Sequence, residues 1–524
     1  MADTIARAMA QAAKLGQVNV KDFGAVGNGD ADDTQAFIKC ANFVIADSEN
    51  AKAIHTLLIP PGVYKVALPA DTELFKLNWV DGFHIEASGA TIRRTIDYTP
   101  GQTAKLFWFD NSKNITANGP FVDTQGPYIK DLVTVTDPTY RGYDVYTFAD
   151  NNKHIKIRGV EVTNNYRLAN FQGRTLSTTN TDISVEGRAI RCEYGVTFQN
   201  TGDNVDVNIY GELTHRTYFS YGVLKHRVKM MTKSPRTVSA MISALEKDSR
   251  DIDMDAFIIF TNDPASTAKS NGGIQIYTQA WTGKVTVGNI YGVNLNVKSI
   301  TQGTANSDYR PVVSFGSSKD NLATLMPGSI NKVKVTVDID GWRGQDRYRA
   351  PIGFLEVTGY DAGGVPTFHS DSSTTFFEPA VSDIEIDAKV HTPSLTARTN
   401  SMEFSFTKLS GVLRLKFEGN MSPSVRNLGT TGQIIFDSVD INTRLYTGAG
   451  PASLDRAWIK DSKNHSAYNV REATPSVTPS GNIVRYAAPI VEYASAAAPN
   501  GSLFLDSDGK LKFKDYFGVV ASLT

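Results

Sequence analysis

Along this chain, apolar and polar residues alternate in short bursts that end on glycine. The phrase apolar–any–apolar–any–glycine reads "IEASG" at 85–89, "ITANG" at 115–119, "IKIRG" at 155–159, "ISVEG" at 183–187, "VNIYG" at 207–211, "VDIDG" at 337–341 and "LKFEG" at 415–419. Period-two alternation marks a strand with one buried face, and the closing glycine lets the chain turn a corner. The first five glycines lie 30, 40, 28 and 24 residues apart. A sandwich of short strands would turn about every 8–12 residues. The wider spacing predicts a solenoid with loops inserted at some corners.

Ahead of these phrases, "NVKDFGAVGNGDADDTQAFIKCANFV" (19–44) runs from a glycine-rich loop into a helical pattern. Val18 and Val20 predict a short strand, the glycines a turn, and Asp32 or Asp33 a helix cap. The helix places Phe37, Cys40, Ala41 and Val44 on one face, so it covers an apolar surface. A phosphate cradle is not expected. The spacing is GxxGxG, no Gly-Lys-Ser/Thr follows, and Asp30, Asp32 and Asp33 would repel the anion. A calcium loop lacks its closing glutamate. "LLIPPGVYKV" (57–66) then adds two short apolar strands around a Pro-Pro-Gly turn. In order and spacing, residues 19–66 closely resemble the opening of pectate-lyase-3-type right-handed parallel β-helices, common in bacteriophage tailspikes and capsule depolymerases. The resemblance implies that the helix caps the N-terminal end of the solenoid.

The expected fold is therefore all-β: a right-handed, single-stranded parallel β-helix with a capping helix and a small C-terminal β domain. Residues 1–16 form an N-terminal helix or anchor segment, 17–66 the cap, 67–440 the β-helix and 441–524 a C-terminal trimerisation region. Beyond about residue 440 the phrase is lost, and "ATPSVTPSGN" (473–482) reads as a linker. Asp508-Gly509 lies between alternating strands, a hairpin signal, with Leu503, Leu505, Leu511 and Phe513 on one face. An isolated hairpin is marginal in water, so this face needs a partner.

With 524 residues the chain can bury a large core, and its net charge of −1 advertises no basic face for nucleic acid. Cys40 and Cys192 alone supply neither a disulfide framework nor a zinc spacing, and no metal or cofactor is expected. No stretch approaches 18 apolar residues, so no membrane span is expected. The first 16 residues read as an amphipathic helix rather than a signal peptide. With 21 Tyr, 26 Phe and 5 Trp, rings are plentiful enough for sugar stacking or for a solenoid interior.

If the first five phrases stack in register, outward positions form columns. One before the glycine come Ser88, Asn118, Arg158, Glu186 and Tyr210. Five before it come His84, Asn114, His154, Asp182 and Asp206. Seven after it, Tyr166, Tyr194 and Tyr218 form a stack, or else an interior aromatic ladder. With coils about 4.8 Å apart, Arg158, Glu186 and Tyr210 would make a polar ladder beside Asp182 and Asp206. Two later strands carry Asp251, Asp253 and Asp255, and Asp383, Glu385 and Asp387, on one face each. Carboxylates two apart on a strand lie about 6–7 Å from each other, near the roughly 6.5–9.5 Å that an inverting glycosidase uses. The plain alternative is a solvated strand face whose charges are balanced by nearby Lys and Arg.

The resemblance implies a homotrimeric tailspike on the virion tail, attached through its N-terminus to a tail or baseplate protein. It would bind and depolymerise a bacterial surface polysaccharide, capsule or O-antigen. Hydrolysis by paired carboxylates is the first expectation. Its candidates are Asp182, Glu186, Asp206 and Glu212, then Asp253 and Asp255, with Arg158 and Tyr210 binding substrate. A lyase would use His154, Lys156, Arg158 and Tyr210 beside a uronic carboxylate. A non-catalytic receptor-binding spike is the third reading. "NTD" (180–182) lacks the residues that complete a polygalacturonase signature, which argues against pectin.

Overall fold

The computed structural model describes residues 14–261 apart from 51–53, 70–71, 95–103 and 125–142, and 272–342 apart from 281–282, 303–310 and 320–326. Beyond that it describes strand segments, named below where the argument uses them, with a few flanking residues. Asp81–Glu86, Lys113–Asn118, Lys153–Thr163, Thr181–Ile190, Asp203–Glu212, Leu224–Lys233 and Ser249–Phe260 pair in parallel, one after another. Ile290–Thr301, Ile330–Asp340, Phe377–His391 and Thr407–Gly419 continue this first sheet. A second sheet stacks Glu73–Asn78, Ala104–Asp110, Tyr143–Ala149, Arg167–Gln172, Tyr194–Gln199, Arg216–Tyr221, Val238–Ala244, Gly272–Ala280 and Val313–Lys319. From Lys153 to Lys319 each coil gives one strand to each sheet; earlier coils add a second short strand to the first, as Ala90–Arg93 and Phe121–Asp123 do. The architecture is a parallel β-helix.

All seven phrases begin on first-sheet strands. The first sheet also outlasts the phrase, because Ala457–Lys460 and Arg485–Ala487 follow Gln433–Asp437 in parallel past residue 440. Five of the phrase glycines are of two kinds. Gly89, Gly119 and Gly341 have φ of 77°, 74° and 75° and do turn corners. Gly187 and Gly211 instead sit inside strands, where a Cβ would fall 2.6 Å from the Val160 carbonyl and 2.0 Å from Thr217 Oγ1. Close packing, not turning, fixes glycine there.

The interior is filled from both sheets. Ile155, Ile157, Ile183, Val185, Val205 and Val207 point in from the first. Phe109, Phe148, Phe171 and Phe198 stack from the second, with ring centroids 5.2, 4.9 and 4.8 Å apart. At the corner leading back to the first sheet, Ser112, Asn152, Asn180 and Thr201 are buried. Asn152 Oδ1 accepts from the Ser112 amide (2.9 Å), Asn180 Oδ1 from the Asn152 amide (3.0 Å) and Thr201 Oγ1 from the Asn180 amide (2.7 Å). Side chains thus satisfy the backbone donors that the turn leaves unpaired.

The helix spans Thr34–Asn50 and buries Phe37, Cys40, Ala41 and Val44, with Phe37 edge-on to Tyr64 at 5.5 Å. Asp32 supplies the carboxylate to its first turn, accepting from the Thr34 amide at 3.0 Å. Asp33 is buried and accepts from the amides of Val26 (2.6 Å) and Gly27 (3.2 Å), so the protein's own carboxylate fills the glycine loop. Val20 does not extend the strand Gln17–Asn19. It opens a 3₁₀ turn, Val20–Phe23, because the Asn19 side chain takes the Lys21 amide and Gly24 closes the turn at φ 101°.

At the C-terminus, Ser502–Leu505 pairs antiparallel with Leu511–Lys514, setting Leu503 opposite Phe513 and Leu505 opposite Leu511. Val520–Ser522 adds a third strand. Residues 1–13, the linker 473–482 and the turn at 508–509 lie outside the described residues.

Candidate functional site

The register differs from the predicted columns. Glu186 faces Asn208 and Asp206 faces Ser184, because "VNIYG" slides two positions along "ISVEG". Tyr210 therefore faces Arg188, whose guanidinium lies 5.2 Å from its ring centroid. Arg158 lies within a register shift, between Ile157 and Val160, where Gly159 takes φ 61°. The ladder Arg158–Glu186–Tyr210 does not form. The tyrosine column also breaks. Tyr166 and Tyr194 meet edge-on at 5.7 Å, but Phe219 takes the next place at 5.8 Å while Tyr218 points into the core.

Two further candidates sit where the backbone, not the chemistry, chooses the residue. Asn114, His154, Asp182, Asn204, Lys225, Asp251, Lys332 and Asp383 all have φ between 52° and 57°, at the same point of successive first-sheet strands. Asp182 there lies 3.3 Å from His154 and accepts from Asn204 Nδ2 at 2.7 Å. Asp251 and Asp383 occupy this bulge, apart from the regular outward rows of Asp253, Asp255, Glu385 and Asp387. In those rows, acids alternate with cations or amides. Asp206 lies 3.5 Å from Arg227, and Asp253 and Asp255 accept from Asn294 (2.8 Å) and Asn296 (3.1 Å). Lys334 lies 3.7 Å from Glu385, and Lys416 2.9 Å from Asp387. Lys156 and Glu186 are exposed on this face.

Glu212 stands apart from this pattern. It ends the strand Asp203–Glu212, just before Leu213 turns the chain at φ 52° toward the second sheet. Its Oε1 is 2.8 Å from Lys233 Nζ, and its Oε2 accepts from the Tyr210 hydroxyl at 2.8 Å. Burial would raise its pKa, but the bonds from Lys233 and Tyr210 outweigh burial and hold it below the ordinary carboxylate range. The Tyr210 phenol is pushed up to about 12 by burial and by the anion it bonds.

Around the same corner the second sheet begins with Glu193-Tyr194 and, one coil on, His215-Arg216. Arg216 donates to the Tyr194 hydroxyl (3.2 Å) and lies over the Phe219 ring (5.2 Å). Arg167, bound to Asp144 at 2.6 Å, lies between the rings of Tyr166 (4.3 Å) and Tyr194 (5.4 Å). Arg236 donates to His215 Nε2 at 3.0 Å, so that nitrogen carries a lone pair and the imidazole is neutral. Burial lowers the His215 pKa, and Arg236 and Arg216 add to this against the pull of Glu193 at 3.7 Å. The corner thus offers an ionised carboxylate, a neutral imidazole, fixed guanidinium donors and partly exposed rings. No repeated phrase marks its second half: Glu193-Tyr194 and His215-Arg216 share a place just past the end of successive first-sheet strands, but no residue type.

Among the described residues no group of three or more His, Cys, Asp or Glu is placed to hold a metal, and no helix is long and apolar enough to cross a membrane. No protein-family model matches the sequence, and no curated protein matches it. Solved structures do match. A double mutant of the tailspike protein of E. coli bacteriophage HK620, in complex with a pentasaccharide, superposes with a TM-score of 0.51 at 11% identity, covering 85% of this chain and 78% of that one. A single mutant of the same tailspike, also with pentasaccharide, gives 0.51 and 11% over 85% and 79%. The Agl-KA catalytic domain is a looser likeness, at 0.41 and 13% over 80% and 68%. The chain is thus a parallel β-helix protein. Its fold is the one found in a phage tailspike.

Proposed function

We propose that this protein is a phage tailspike that binds and cleaves a bacterial surface polysaccharide, capsule or O-antigen, at the corner around Glu212. The observation that carries the reading is the meeting there of an ionised, fixed carboxylate with a file of partly exposed rings and guanidiniums. Rings give the apolar faces of a pyranose a surface, and the fixed donors orient its hydroxyls. The shared fold with a tailspike solved with a pentasaccharide supports the same reading. Hydrolysis is the first chemistry. Glu212, held as an anion, serves as base or nucleophile, and a second carboxyl group protonates the leaving oxygen.

The neutral His215 favours a second chemistry, β-elimination. Once Arg236 turns from His215 Nε2 to a uronic carboxylate, that nitrogen can accept the proton beside it, with Arg216 helping to balance the charge. Incubation with polysaccharides from a panel of strains separates these readings. Saturated fragments indicate hydrolysis, unsaturated ones absorbing in the far ultraviolet indicate elimination, and intact polymer a binder. Glu212→Gln is expected to lower turnover by about 10²-fold or more, with polymer binding and melting temperature close to parental. A parental rate in that variant removes Glu212 from the reaction.

A further inference from the structure

We propose that Trp79 and the polar edge beside it form a second glycan-binding site, which takes a neutral pyranose of the polymer away from the point of cleavage. The proposal rests on the reading that the ligand is a polysaccharide. It concerns the opposite corner of the coil, where the second sheet returns to the first.

Trp79 holds φ 59°. At this corner in other coils stand Asn111 (48°), Asp150 (63°), Asn200 (53°) and Gly222 (65°). Those residue types tolerate the left-handed region; a tryptophan does so at a cost. Strain of this kind persists where a function needs the side chain. The Trp79 amide is fixed on the Asp110 carbonyl at 3.0 Å, and 67% of the residue is open to solvent. No described residue stacks on its ring. Trp108, one coil on, is buried with Lys105 only 3.9 Å above its ring, so the open indole is not an overflow of the core.

The neighbouring polar groups are already ordered. Asp110 accepts from Asn111 Nδ2 (2.7 Å), Asn111 Oδ1 from Asn151 Nδ2 (3.0 Å), and Asn151 Oδ1 from the Thr179 amide (3.1 Å). Arg174 bridges Asp110 and Asp150, with half of its side chain exposed. An indole face beside rigid amides and a guanidinium fits the C–H face and rim hydroxyls of one sugar, without a further cost of ordering side chains. The two carboxylates and one guanidinium leave one negative charge, which disfavours an acidic sugar. The occupant is therefore a neutral pyranose.

The test labels full-length Glu212→Gln protein with 5-fluorotryptophan and assigns the Trp79 resonance by its loss in Trp79→Phe. Purified capsular and O-antigen polysaccharides from the strain panel are then titrated in. A polysaccharide that the protein retains should shift this resonance. Trp79→Ala should weaken retention at least tenfold and leave cleavage of short fragments unchanged in the otherwise parental chain. A resonance that stays still while polymer binds, or parental retention by Trp79→Ala, overturns the site alone. A lower oligomer mass for Trp79→Ala also overturns it, making Trp79 a subunit contact. If no polysaccharide in the panel is retained, the proposed function falls and takes the site with it.

Discussion

His226 shows how far a single position can depart from its ordinary chemistry inside this solenoid. It is fully buried, edge-on to Phe198 at 4.7 Å, and its Nδ1 is 2.7 Å from the Tyr218 hydroxyl. Burial pushes its pKa down to about 3, against a weak pull from the Gly202 carbonyl at 3.4 Å. In the unfolded chain a histidine titrates near about 6.5, so between these values the unfolded state binds the extra proton. The stability linked to His226 is full above about pH 6.5 and is lost as pH falls toward 3, at up to about 1.4 kcal/mol per pH unit. His226→Gln is expected to flatten the melting-temperature profile between pH 6.5 and 4, whatever it does to stability at pH 7. An unchanged slope assigns the acid sensitivity to other groups. Function at single positions was hard to read from the sequence for a related reason. Asp182 and His154 look like chemistry, yet they share a left-handed bulge with Asn114 and Lys225, and composition carries no mark of φ.

At the scale of elements, the first sheet was legible because its outward face is wet. Polar and apolar positions alternate there, and the five-residue phrase records it. The second sheet escaped notice because strands such as Tyr143–Ala149 and Val238–Ala244 are buried on both faces and show no alternation. Register was lost for a local reason. The phrase makes Gly187 and Gly211 the same corner, yet Gly187 faces Ile209 and Gly211 faces Ala189. The helix Thr34–Asn50 was the opposite case, since its apolar spacing could be read directly. We propose that it closes the N-terminal end of the solenoid. Phe37→Asp should then lower stability by about 3 kcal/mol or more, from the lost ring and the buried charge, and promote aggregation. A variant as soluble and heat-stable as the parent contradicts the role.

For the whole molecule, we propose a homotrimer, as the resemblance in the opening residues implies. The C-terminal sheet carries Phe513 exposed on the strand Leu511–Lys514, an apolar surface that assembly would cover. Light scattering should report about three times 57.1 kDa at micromolar concentration. Loss of residues 502–524 should weaken assembly more than it disturbs the solenoid, read as dissociation with retained β-sheet circular dichroism. A parental chain that stays monomeric refutes the assembly. Within each chain, one second-sheet strand per coil has a consequence for distance. Second-sheet strands start at 104, 143, 167, 194 and 216, so their spacing along the sequence is uneven, yet each advances the ladder by one step. From the strand before Trp79 to the strand of Arg216 there are five such steps, about 24 Å at the spacing of paired strands. Coils behave as the divisions of a measuring rod. Loops at the corners can grow or shrink over generations without moving the marks, so two grips on one polymer keep their span while the surfaces around them change.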